Sequence, residues 1–152
     1  MYIVLILSTI LVSSCKKQDP VDFYHKFENQ SWYRFNHLLF EIPVTDSRKS
    51  WDIYFFVRHT KEYEFGTLDF NMVMNTPSGE ERIKEYHLQM KKSEGGLAGA
   101  CPGDSCEAVI ALKKGISFGK QGKLKIDIES LVPRLNLDGL MGAGIRMVPQ
   151  TK

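Results

Sequence analysis

FGTLDFNMVMNT, residues 65–76, is the stretch that decides the fold class. Leu68, Phe70, Met72 and Met74 recur every second position, with Asp69 and Asn71 between them and Asn75 at the end. Successive side chains of a strand point to opposite faces, so this alternation predicts a strand with one face buried. The segments around it repeat the pattern. Immediately after it, NTPSGEE (75–81) places Pro77 and Gly79 where turns favour them, and RIKEYHLQM (82–90) sets Lys84, Tyr86, Leu88 and Met90 against Ile83, Glu85 and His87. The two runs therefore read as a hairpin. Before it come YRFNHLLFEIPV (33–44), with Phe35, His37 and Leu39 on one side and Leu38, Phe40 and Ile42 on the other, and the aromatic, β-branched WDIYFFVRHT (51–60). After the glycine-containing loop at 95–103 come EAVIALKK (107–114), GKLKIDIESLVP (122–133) and GLMGAGIRMVP (139–149). Helical character is confined to Glu129–Leu135, where Pro133 limits it to about one turn. Seven to eight short strands separated by turn signals predict an all-β antiparallel sandwich, jelly-roll-like, with a closed barrel as the alternative architecture. The chain has no internal repeat.

The N-terminus has a different composition. MYIVLILSTILVSSCKKQDP (1–20) is apolar from Ile3 to Val12 apart from Ser8 and Thr9, and charged from Lys16. A spanning helix needs about 20 apolar residues, whereas a run of roughly 7–15 ending in small residues has the form of a secretory leader. Val12-Ser13-Ser14-Cys15 resembles the bacterial lipobox, in which the cysteine thiol takes a diacylglyceryl group and becomes the acylated first residue of the mature chain. Only Met1 and Tyr2 precede the apolar run, where signal peptides usually carry Lys or Arg. A buried first strand with an incidental cysteine is the plainer alternative. Residues 16–31, KKQDPVDFYHKFENQS, are charged, contain Pro20 and lack sustained periodicity. Residues 1–14 are thus expected to be a lipoprotein signal peptide, 15–31 a lipidated N-terminus and tether, and 32–150 the sandwich domain.

Charge and chemistry narrow the functional classes. The formal charge of +2 comes from basic and acidic residues that are interleaved along the chain, which argues against a nucleic-acid footprint. In an oxidising compartment Cys101 and Cys106 of GACPGDSCEA are expected to close a small disulfide, two free thiols being the alternative. His25, His37, His59 and His87 have no zinc-ligand spacing with these cysteines, so no metal or cofactor is expected. There is no G-x-S-x-G elbow and no H-E-x-x-H pair. Gly139, Gly142 and Gly144 run into the last strand, which suits close strand packing or a bulge better than nucleotide binding. The chain is expected not to be an enzyme. Three residues are candidates for partner or ligand contact. Arg58 ends an aromatic strand and is weighed against a strand-end ion pair, and Trp32 and Trp51 are weighed as sugar-stacking platforms against core positions.

Several segments together carry a family resemblance: Trp32 and Phe40 in the first long strand, Asp46 in the turn, IYFFVRHT with Arg58, then Tyr63 and Leu68, Pro77 with Gly79, and the terminal LDGLMGAGIRM, all behind the lipobox. In order and spacing these resemble the gliding-motility lipoprotein GldH family over nearly the whole mature chain. The chain differs at Gly66-Thr67-Leu68, where the family tends to have aromatic-Asn-Leu, and at the two-cysteine loop, where it tends to be Gly- and Trp-rich. The resemblance implies a lipid-anchored accessory protein of the gliding and type IX secretion apparatus, held to the membrane by covalent lipid (diacylglyceryl and palmitate) at Cys15, that supports assembly or stability of partner envelope lipoproteins. It implies no catalytic residues. Lys16 and Lys17 stand where surface-exported lipoproteins of related bacteria tend to be acidic, so the periplasmic face of the outer membrane is expected. A carbohydrate-binding sandwich lipoprotein is the alternative.

Overall fold

The structure, a computed structural model, describes residues 19–150. Its strands are β1 (Val21–Lys26), β2 (Ser31–Tyr33), β3 (Leu38–Val44), β4 (Trp51–Thr60), β5 (Thr67–Asn75), β6 (Glu81–Gln89), β7 (Ser105–Ile116), β8 (Gly122–Ser130), β9 (Asn136–Asp138) and β10 (Leu140–Pro149). They form a first sheet in the order β1-β10-β4-β7, a second in the order β3-β8-β5-β6, and a short ribbon of β2 with β9. Every pairing is antiparallel. Among the eight longer strands, every connection except the β5–β6 hairpin crosses between the sheets, and this order is that of a jelly roll.

The period-two pattern explains the core. Leu68, Phe70, Met72 and Met74 of β5 are all buried, as are Leu38, Phe40, Ile42 and Val44 of β3. They meet Ile53, Phe55 and Val57 from the first sheet, with the Phe55 and Phe70 rings 4.7 Å apart. Each such side chain contributes about 1.5–3 kcal/mol on full burial. Where β6 approaches β7, the buried Tyr86 hydroxyl donates to the Leu112 carbonyl at 2.8 Å. That bond ties the sheets along one open side.

Three expectations are corrected. Residues 21–31 are not tether, because β1 pairs with β10 from Val21↔Met147 to Lys26↔Gly142, so the folded part begins ahead of Trp32. This edge strand is largely exposed, with only Phe23 partly buried, and it lacks the buried alternation that identified the others. The run from Trp32 to Val44 is two strands with a turn between, in which Asn36 N donates to Tyr33 O at 2.9 Å. A buried indole N–H needs an acceptor, and Trp32 Nε1 takes the Asn36 carbonyl at 2.7 Å, which folds the segment back. Glu129–Leu135 forms no helical turn: β8 runs to Ser130 and a bend leads to β9.

The register gives the sandwich two distinct ends. At one, Val21 lies opposite Met147, Trp51 opposite Pro149 and Ile116, and Val44 opposite Gly122. This end carries the start of β1 and the turns at 45–50, 76–80 and 117–121. At the other end are the β2–β9 ribbon and the connections at 61–66 and 90–104.

Candidate functional site

Arg58 lies on the outer face of the first sheet. Alternation sends Ile53, Phe55, Val57 and His59 inward and Phe56 and Arg58 outward. Arg58 Nε donates to Glu107 Oε2 at 3.1 Å, and the other oxygen of Glu107 accepts from Arg146 Nη1 at 2.8 Å. Arg146 also grips Asp22 of β1 through Nε (2.7 Å) and Nη2 (2.8 Å). These bonds, with that to Asp22 foremost, hold the Arg146 guanidinium even further above neutrality than usual. The Arg58 guanidinium stands over the Tyr24 and Phe56 rings at 4.9 and 5.5 Å, and that of Arg146 over Phe56 at 4.7 Å. Arg58 Nη1 and Nη2 bond to no described residue.

Neither tryptophan offers an open stacking platform. Trp32 is 1% exposed and stacked on Phe27 at 5.5 Å. Trp51 is half-buried against the core, beside a cleft of about 230 Å³ lined by Val21, Phe23, Ile42, Val44 and Met147 at the end where β1 begins. Trp32 takes the core position that was the plainer expectation, whereas Trp51 only packs against the core from its edge. Cys15, with the whole expected signal peptide, lies outside the described residues. Cys101 and Cys106 are joined as a disulfide, with Cys106 buried in β7 and Cys101 in the exposed loop. The loop folds against β7 through a two-way backbone bridge between Ala100 and Glu107 (3.2 and 2.7 Å).

The larger concavity was not anticipated. The β2–β9 ribbon closes the end of the sandwich remote from Val21. Its inner pair, Trp32 opposite Leu137, is buried, and its outer pairs are Ser31 with Asp138 and Tyr33 with Asn136. Beside its outer face is a cleft of about 880 Å³ whose walls include Asn29, Tyr33, Phe35, Asn36, Asn136 and Asp138. Asn29 (φ 51°) and Gln30 (φ 52°) both occupy the left-handed region, which Asn visits readily but which costs a residue such as Gln30 about 1–2 kcal/mol. Surrounding bonds maintain this: Gly139 N donates to Gln30 O at 2.9 Å and Phe27 N to Met141 O at 3.0 Å. Asn29 was the available sequence signal, since Asn tolerates this conformation, but it sat in a segment read as tether.

At the same end two buried polar atoms, His59 Nε2 and Tyr63 Oη, have no partner among the described residues. The rings are 5.7 Å apart. His59 Nδ1 is 2.8 Å from the Thr60 carbonyl and donates to it, and burial lowers the affinity of the ring for a second proton. Burial likewise pushes the Tyr63 phenol up. Neither atom reaches a nucleophile or a carboxylate, and no group of three or more His, Cys, Asp or Glu among the described residues is arranged to hold a metal ion.

The strand order and the aromatic and amide-lined cleft at one end define the class of the protein as a jelly-roll β-sandwich. The GldH lipoprotein family profile matches residues 20–147, and the chain belongs to that family. It is 28% identical to the gliding motility lipoprotein GldH of Flavobacterium johnsoniae, over 95% of this chain and 93% of that protein. It is 25% identical to the gliding motility lipoprotein GldH homolog of Christiangramia forsetii, over 95% and 92% respectively. No solved structure matches the chain.

Proposed function

We propose that the protein is a lipid-anchored, non-enzymatic accessory of the gliding-motility and type IX secretion apparatus, acylated at Cys15, sited at the periplasmic face of the outer membrane and supporting the assembly or stability of partner envelope proteins. The observation that carries this reading is the family match, which spans both sheets and the ribbon between residues 20 and 147. The two relatives, each named as a gliding motility lipoprotein or its homolog, support it over nearly their full lengths.

Geometry supports the anchored arrangement. Between Cys15 and Val21 the chain spans at most about 20 Å when extended. With Cys15 acylated, the end carrying Val21 and Trp51 stays near the bilayer. Strands of ten residues run about 33 Å, so the β2–β9 ribbon is held well out from the membrane. Lys16 and Lys17 after the cysteine favour the periplasmic face.

The test is a crosslinking pull-down from intact envelopes, comparing the wild type with Cys15→Ala by mass spectrometry. Enrichment of gliding or secretion lipoproteins that is lost in the variant is the expected result. Equal recovery from both, or recovery of no envelope protein from either, overturns the role. Release of the protein by protease applied to intact cells overturns the periplasmic face.

A further inference from the structure

We propose that the cleft beside the β2–β9 ribbon binds an uncharged, hydroxyl-rich chain, an oligosaccharide, with Tyr33 and Phe35 as the apolar platform and Asn29, Asn36, Asn136 and Asp138 as the hydrogen-bonding wall. This goes beyond the accessory role proposed above and does not depend on it.

Three features of the cleft select the ligand chemistry. The first is its aromatic content. Tyr33 and Phe35 are 43% and 61% exposed on its walls, with ring centroids 5.6 Å apart and planes steeply inclined. Large aromatic faces held open to water within a concavity mark binding surfaces, and they suit the C–H faces of sugar rings.

The second feature is unused polar capacity. The side-chain amides of Asn29, Asn36 and Asn136 bond to no described residue, and Asp138 is oriented by the Ser31 hydroxyl, which donates to Oδ1 at 2.7 Å. An amide donates and accepts from one plane, and a carboxylate accepts at both oxygens. Together they match vicinal hydroxyls, each of which both donates and accepts.

The third is the charge balance. Among the lining residues Lys26 faces Glu28 and Asp138, so the walls carry a single net negative charge and no basic cluster that would draw a phosphate or carboxylate group. A protein hot spot would bring buried aromatic anchors, whereas Tyr33 and Phe35 are exposed here and share the walls with the amides of Asn29, Asn36 and Asn136. At about 880 Å³ the cleft lies within the usual range for small-ligand sites, roughly 300–1,000 Å³.

The wall is fixed in place, since Trp32 beneath it is bonded to the Asn36 carbonyl and the left-handed pair Asn29–Gln30 is held by Gly139. A site preformed in this way loses little conformational freedom when it is occupied.

The test uses the full lipidated protein in nanodiscs, free of glycoside detergents, titrated calorimetrically with β-1,4-linked N-acetylglucosamine oligomers, with neutral glucan oligomers and with heparin as an anionic control. The first two distinguish a cell-wall source from another polysaccharide. Binding of at least one neutral oligomer, not shared by heparin, is expected, and Tyr33→Ala and Phe35→Ala should each weaken it about tenfold. As a readout independent of variant folding, amide chemical shifts of the unsubstituted protein should move at residues 29–36 and 136–138 on titration. Absence of binding to every neutral oligomer at millimolar concentration overturns the proposal. So does binding unaffected by both substitutions, shift changes confined to another surface, or a protein crosslinked at Phe35 that neutral glycans fail to displace.

Discussion

Phe56 has no exposed surface although it faces away from the core, and the reason is its cross-strand neighbour Gly144. With no side chain at 144, the ring lies on bare backbone, flanked by Tyr24 and the guanidiniums of Arg58 and Arg146. A β-carbon at 144 would run into the Phe56 ring and the Phe23 carbonyl of β1. Gly144→Ala should therefore lower stability by about 1–3 kcal/mol, the usual penalty for overpacking. Denaturant melts would measure it, and a midpoint unchanged from wild type would show that the ring simply moves aside.

Arg146 and Arg58 share Glu107 but should behave differently. Arg146 binds β1 through a two-point contact with Asp22, so Arg146→Lys keeps the charge and loses the fork. A loss of roughly 1–3 kcal/mol is expected, with faster amide exchange in β1. Arg58 makes a single bond and is 42% exposed, so Arg58→Ala should cost no more than about 1 kcal/mol. Equal losses for the two substitutions would mean that the shared network, not the fork, fixes β1.

These residues mark what was legible in the sequence. The strands Trp51–Thr60 and Thr67–Asn75 could be read from composition and alternation, because their inward faces are packed without exception. β1 could not, since an edge strand held mainly by backbone pairing and the Asp22–Arg146 fork leaves no apolar period. Arg58 was legible as an ion pair. The cleft was not, because it comes from the meeting of the 27–37 and 131–139 connections, about a hundred residues apart in the chain. Its aromatic residues, Tyr33 and Phe35, were read as strand positions, and Trp32, one of the two tryptophans weighed for stacking, is the buried support beneath them.

Cys101 and Cys106 lie five positions apart with one thiol buried, so the disulfide constrains a short loop. The chain-entropy estimate for a ring of this size is about 2 kcal/mol. Unfolded, unreduced mature protein should show no thiol titratable by a chromogenic disulfide reagent, and two after reduction. The double substitution Cys101→Ser with Cys106→Ala should lower stability by about that amount, with the loop around Gly99 loosening first. Two thiols titrating without reductant would exclude the bond.

His59 and His87 should give opposite pH dependences. Burial, the larger influence, holds His59 below its ordinary value of 6.5, partly offset by the Thr60 carbonyl. As pH falls through 6.5 the unfolded chain takes up a proton that the folded chain refuses, so the His59 contribution to stability declines on acidification. His87 is exposed on β6 and is raised above 6.5, chiefly by its hydrogen bond to Asp69 at 2.8 Å. Its contribution is present below the unfolded value and disappears as pH rises through the folded one. Imidazole signals in a titration between pH 5 and 8 should place the His87 midpoint above 6.5 and the His59 midpoint below it. Melting curves at the two ends of that range should then diverge: His59→Gln should lessen the loss of stability on acidification and His87→Gln should deepen it. Protonation of His59 at its ordinary value would mean that its unpartnered Nε2 is reached by water, and the closed packing of Tyr63 against it would be wrong.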